Sequence, residues 1–175
     1  MDTKPLVGIS SCLLGENVRY DGGNKLNTRL RDEMGRTVDF LPLCAEAESG
    51  MTIPREPMDL FYESGAVCLI TLETGLDMTG SITGWIESKL IDLAVLSICG
   101  FIFKAKSPSC ALFSARVYRK SGMYPHGRGL FAGAFTERFP LIPVVEDVEL
   151  LDGTQRSDFL EKVFAMKLLY KSSRI

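Results

Sequence analysis

No stretch of this chain approaches the roughly 20 uncharged apolar residues that a membrane-spanning helix needs, and the N-terminal MDTKPLVGIS has no apolar run behind a basic start. A cytoplasmic protein is therefore expected. The chain has a single histidine, His126, a single tryptophan, Trp85, and no two cysteines in C-x-x-C spacing. A structural zinc site usually shows such a pair and takes four ligands, so that class is disfavoured. A large net charge is also missing: 20 basic and 22 acidic residues leave −2, which argues against broad electrostatic binding to nucleic acid or membrane. The balance is uneven, since residues 101–140 carry seven basic residues against Glu137 alone, a local +6, and the remainder carries −8. Such a segment could favour an anionic ligand, although charge runs usually mark a solvated face.

What is present is an ordinary globular composition. The 175 residues are 46% apolar, enough to bury one full core, and no internal repeat or low-complexity tract divides them. A single domain over residues 1–175 is the expected organisation. Short β-rich runs alternate with amphipathic stretches, the pattern of an α/β fold: a three-layer, Rossmann-like open sheet, mostly parallel, with helices on both faces. Strands are expected at Leu6 to Ser10, Val38 to Leu43, Ala66 to Leu72, Ile98 to Phe103 and Leu141 to Val145. The Gly/Asn/Asp-rich segment from Gly15 to Lys25 must be a loop. Helices are expected from Asn27 or Thr28 through Gly35, from Thr79 or Ser81 through Leu93, from Gly129 to Phe139, and from Ser157, as its cap, to Tyr170. Trp85 falls on the apolar spacing of its helix and reads as core.

Five cysteines in a reducing compartment are thiols rather than disulfides. Cys68 and Cys99 lie inside apolar runs and read as small core residues. Cys12, Cys44 and Cys110 instead follow such runs, in ISSCLLG, FLPLCAE and KSPSCAL. Parallel strands side by side would gather the loops after them at one sheet edge, where open α/β folds bind ligands. Three thiols meeting there could be merely buried or reactive, could include a nucleophile with His126 as its base, or could hold an iron–sulfur centre with one position left open. Spacing alone does not choose among these.

Four strings narrow the choice. ISSCLLGENVRYDGG, PLCAEAESGMTIPREP, CGFIFKAKSPSCAL and GRGLFAGAFTERFPLIPVVED resemble, in order, the motifs of a prokaryotic family first catalogued as a domain of unknown function and later connected with 2-thiouracil desulfurase. The resemblance runs from residue 7 to about residue 165. It implies a [4Fe-4S] cluster held by Cys12, Cys44 and Cys110, a fourth iron free for the sulfur of a small thiolated pyrimidine, and hydrolytic desulfuration with release of sulfide. Members often read Cys-Pro-Glu where this chain has Cys44-Ala45-Glu46, and Ser-Pro-Ser-Cys-Gly where it has Ser107-Pro108-Ser109-Cys110-Ala111. The first change loosens a φ constraint and the second removes easy access to positive φ. Longer relatives carry a further domain after the C-terminal helix, so this chain is expected to be a stand-alone version.

On this reading Glu46, two residues beyond Cys44, is the candidate general base, its competing role being a salt bridge to Arg55. Ser109, with Ser11 and Ser107, is placed to orient the ring or donate to cluster sulfurs, and Lys104 or Lys106 to stabilise anionic charge. Arg19, Tyr20 and Asp21 would shape the pocket, or Arg19 and Asp21 simply brace the loop. Two alternatives remain at this stage: processing of a thiolated nucleoside in RNA through the basic segment, and a non-catalytic metal- or sulfur-binding module.

Overall fold

The structure is a computed structural model and describes residues 3–172. Its central sheet has four strands, β1 (Leu6–Ser10), β2 (Asp39–Leu43), β5 (Ile98–Phe103) and β8 (Val144–Glu146), in the order β2-β1-β5-β8 and all parallel. Helices cover both faces, as expected of a parallel sheet. On one face lie α1 (Thr28–Asp32) and α5 (Gly153–Ser172), which bring Leu30, Phe159, Val163 and Met166 against Val7, Ile9 and Ile102. On the other, α3 (Thr79–Val95) and α4 (Leu130–Arg138) bring Ile82, Ile86, Phe131 and Phe135 against Phe101 and Phe103. Phe101, Phe103, Phe131 and Phe135 form edge-on contacts with centroids 5.0 to 5.8 Å apart across the two elements, a geometry that aromatic rings favour. Trp85 packs edge-on against Phe131 at 5.2 Å, as core and not as a ligand contact.

A second sheet was not expected. Its order is β4-β3-β6-β7, built from two hairpins: β3 (Met58–Glu63) with β4 (Ala66–Thr71), and β6 (Ala115–Arg119) with β7 (Gly122–Gly127). The first hairpin turns through Ser64 and Gly65, both at positive φ, the two-residue turn whose twist matches that of paired strands. Leu60, Leu69 and Val117 bury this sheet's inner face in the core shared with α3 and α4. Two expectations shift accordingly. Cys68 lies on β4 only half-buried, and His126 lies exposed on β7 rather than in a turn.

The remaining elements fall close to their expected places. Asn27 caps α1 by accepting from Leu30 N at 3.2 Å. The C-terminal helix starts a turn before Ser157, because the Asp152 carboxylate accepts from Thr154 N and Gln155 N and caps it there. No helix among the described residues is long and apolar enough to cross a membrane.

Candidate active site

With β2, β1 and β5 parallel and adjacent, their carboxyl ends share one edge, and each is followed by one of the three cysteines. β1 runs into a 3₁₀ turn, Ser11–Leu14, that contains Cys12 and is closed by Gly15 at φ 97°, a conformation costly for other residues. β2 ends at Leu43, so Cys44 occupies the N-cap of the short helix α2 (Ala45–Glu48). Ala45 is thus the first residue of a helix, a position that accommodates proline and alanine alike. β5 leads through residues 104–109 to Cys110. All three thiols line one cavity of about 500 Å³, with Ser109, Glu46 and Lys104. Cys68 and Cys99 do not line it, and neither does His126.

The Cys110 loop is held from three directions. The N-terminal N–H groups of α4 donate into it, Leu130 N to Pro108 O at 3.2 Å and Phe131 N to Ser109 O at 2.9 Å, while Gly129 N donates to Ala111 O at 2.7 Å. Gly129 has to be glycine, since a Cβ there would stand 2.5 Å from Ser109 C and 2.7 Å from Cys110 N. Glu146, completely buried, accepts at Oε1 from Leu112 N, Phe113 N, Ser114 N and Ser114 Oγ, at 2.8 to 3.2 Å. Asp147 accepts from Ala105 N at 2.7 Å and from Lys104 Nζ at 3.3 Å. The two acids at the end of β8 therefore clamp both flanks of the loop. Lys106, at φ 60°, is the loop's one strained residue, and its N–H is tied to Ser114 Oγ at 2.7 Å. Ala111 does not adopt positive φ, so alanine is tolerated there.

Glu46 is held as firmly. Its Oε2 accepts from Arg55 Nη2 at 2.5 Å and Nε at 3.0 Å, and its Oε1 accepts from Ser109 Oγ at 2.6 Å. Ser107 Oγ lies 3.1 Å from Ser109 Oγ and extends the chain of hydroxyls. The salt bridge to Arg55 is therefore real, yet Glu46 still lines the cavity. Glu48 is turned elsewhere, accepting from Cys44 N at 2.8 Å and pairing with Lys89 at 2.9 Å. In the first loop Arg19 pairs with Asp21 at 3.4 Å; Arg19 and Tyr20 line the cavity and Asp21 does not. Lys106 and Ser107 line it too.

Burial dominates the acidity of the thiols. It pushes Cys12 up to about 11 and Cys110 up to about 12, with the charge of a neighbouring Cys44 thiolate next in size for both. Cys44 is raised by the same desolvation. Lys104 and Arg19 oppose the shift at Cys12. Thiols that raise one another in this way hold their protons until a strong cation replaces them.

The donor set suits an iron–sulfur cluster. Three thiols from three separate loops face one space, and no fourth thiol or histidine lines it among the described residues. Ser11 Oγ, buried beside Cys12, has no hydrogen-bond partner among the described residues, and an inorganic or substrate sulfur in the cavity would give it one. Among the described residues no three His, Cys, Asp or Glu side chains are grouped to hold a single metal ion. A cluster, by contrast, spreads its thiolates over different irons.

Sequence reasoning passed over Glu146, Asp147 and a further cavity pair, Asp59 on β3 and Arg116 on β6, joined at 2.7 Å. The dipeptide Ser64-Gly65 between two β-rich runs was the available signal for β3, and hence for Asp59. A buried acid that braces a loop leaves no pattern of its own.

Comparison with known proteins agrees with the geometry. The 2-thiouracil desulfurase family matches residues 7–147, most of the chain. A solved structure, the [4Fe-4S]-dependent thiouracil desulfidase TudS, superposes with a TM-score of 0.67 at 27% identity, covering 95% of this chain and 99% of that one. No curated protein matches the sequence.

Proposed function

Because the chain belongs to the 2-thiouracil desulfurase family, we propose that Cys12, Cys44 and Cys110 are the ligands of its cluster and that Glu46, Ser109 and Lys104 carry the proton and charge management. The activity is [4Fe-4S]-dependent desulfuration of thiouracil, a non-redox exchange in which thiocarbonyl and water become carbonyl and hydrogen sulfide. The observation that carries the residue assignment is the convergence of three thiols from loops after parallel strands and one partly buried carboxylate on a single cavity.

Held by three thiolates, the cluster supplies one iron without a protein ligand, a Lewis-acidic position with affinity for sulfur. The rest falls to side chains. Glu46 takes the proton of the attacking water at Oε1, directly or across Ser109 Oγ, whose hydroxyl stands 2.6 Å from that oxygen. Arg55 fixes the carboxylate from the far side, so the oxygen facing Ser109 is the one left to act. Lys104, anchored 3.2 Å from Asp147, places positive charge beside Cys12, favouring its thiolate and stabilising negative charge on the ring. The substrate is read as a small thiopyrimidine and the location as the cytoplasm, where the thiols stay reduced.

The test is sulfide release from 2-thiouracil under anaerobic conditions by protein reconstituted with iron and sulfide. Stoichiometric uracil and sulfide are expected. A fully loaded protein that forms neither would refute the activity.

A further inference from the structure

The thiols and Glu46 account for only one part of the cavity. The second sheet contributes Asp59 and Arg116, which the chemistry above does not use. Asp59 is an unusual strand residue: acids are depleted in strands, and this one, the second residue of β3, is 3% exposed. Burial pushes its pKa above the usual carboxylate value despite the neighbouring guanidinium. Its only hydrogen bond among the described residues is Oδ2 from Arg116 Nη2, at 2.7 Å. Arg116 is 53% exposed along its side chain, so the pair is neither a sealed buried ion pair nor a surface one. A half-satisfied buried acid costs stability with no structural return. Its Oδ1, with no donor from the protein, is an acceptor in a ligand cavity, next to spare guanidinium N–H donors.

An acceptor beside a donor is the complement of a ring N–H beside a carbonyl. A thiouracil presents that edge at N3–H and the adjacent C=O, next to the thiocarbonyl carbon whether sulfur is at position 2 or 4. We propose that Asp59 and Arg116 form the substrate-recognition subsite of this desulfurase, Asp59 accepting from the pyrimidine N3–H and Arg116 donating to the adjacent carbonyl. The assignment rests on the thiouracil reading and adds the part of the site that selects the ring. It implies preference for an unsubstituted N3 and tolerance of N1 substitution, since neither residue reads N1.

The experiment compares cluster-loaded wild type, Asp59→Asn and Arg116→Gln at matched iron content, using 2-thiouracil, its N1-methyl and its N3-methyl derivatives, with calorimetric titration of uracil in parallel. In Asp59→Asn the amide oxygen stays with Arg116, so an NH₂ donor faces N3–H. Loss of a charged hydrogen bond should raise KM and weaken uracil binding by about 10- to 100-fold, with kcat falling less. Wild type should disfavour the N3-methyl over the N1-methyl substrate by a similar factor, and both variants should shrink that preference. If Asp59→Asn fails to fold, Arg116→Gln, a change on a half-exposed side chain, carries the test. Turnover with unchanged KM, uracil affinity and N3-methyl discrimination in the variants overturns the subsite and leaves the activity standing. No turnover in loaded wild type overturns the activity, and the uracil titration then judges the subsite separately.

Discussion

The cavity has two contrasting walls. One is the carboxyl edge of the parallel sheet, where β1, β2 and β5 each deliver a thiol through a loop braced by other loops: Glu146 and Asp147 on the Cys110 segment, Arg55 on Glu46, α4 packed against the peptide at Ser109. The other is the face of the second sheet where β3 and β6 run parallel, and where the side chains of Asp59 and Arg116 hydrogen-bond to each other and, among the described residues, to no other group. The braced wall suits a cofactor whose ligands must stay put. The sparsely satisfied wall suits a ligand that comes and goes. Structural effort in this molecule is spent on holding the thiols, and hydrogen-bonding capacity is left free on the opposing strands.

The sharpest way to break that contrast is to disable the chemistry without disturbing the bracing. Glu46→Gln keeps the shape and the contacts to Arg55 and Ser109 but removes the proton acceptor, so turnover should drop by about 10²- to 10⁴-fold with iron content unchanged. Anaerobic sulfide release at matched loading measures it, and an unchanged rate would move the base elsewhere, Asp59 being the other carboxylate in the cavity. Next come the braces. Glu146→Ala strands three backbone N–H groups and should cost upwards of about 3 kcal/mol, together with cluster retention, whereas Glu146→Gln can still accept at one oxygen and should cost less. Gly129→Ala drives a methyl into the Ser109–Cys110 peptide and should cost about 1 to 3 kcal/mol. Urea midpoints rank all three, and equal stability in Glu146→Ala and wild type would remove the clamp from the account.

The cluster-free protein should also weaken at alkaline pH in a defined window. Cys12 and Cys110 titrate at about 11 and 12 in the folded chain against 9.0 when unperturbed, so the unfolded chain loses those protons first. Their contribution to stability is complete below pH 9 and disappears as pH rises through 11 to 12. Denaturant melts of cluster-free protein should show that slope, and Cys110→Ala should flatten it. The smallest effect belongs to the cysteines outside the site. Cys99→Ala, buried in β5, should cost on the order of 1 kcal/mol and half-buried Cys68→Ala less, neither changing iron content.

The contrast also explains what could be read from the chain before its coordinates. Strand-then-cysteine is a local pattern, and parallel pairing turns three scattered copies into neighbours, so the braced wall was accessible from ISSCLLG, FLPLCAE and KSPSCAL. Glu46 was accessible for the same reason, lying two residues from Cys44. The second wall depends on parallel pairing between β3 and β6, which have 51 residues between them and are linked by only two register pairs, Leu60 with Val117 and Phe61 with Tyr118. Nothing local announces that Asp59 will face Cys110's cavity instead of solvent. Glu146 was hidden differently: its role is a set of backbone N–H groups more than 30 residues away, and backbone donors leave no trace in side-chain patterns.

The central claim is that Cys12, Cys44 and Cys110, and no other cysteines, hold one [4Fe-4S] cluster. Its direct test is the count of iron and acid-labile sulfide per chain after anaerobic reconstitution of wild type and the five single Cys→Ala variants. The account predicts about four of each in wild type, Cys68→Ala and Cys99→Ala, and near none in Cys12→Ala, Cys44→Ala and Cys110→Ala. Equal iron in all five variants, or loss in Cys68→Ala or Cys99→Ala with retention in any of the three, would contradict it.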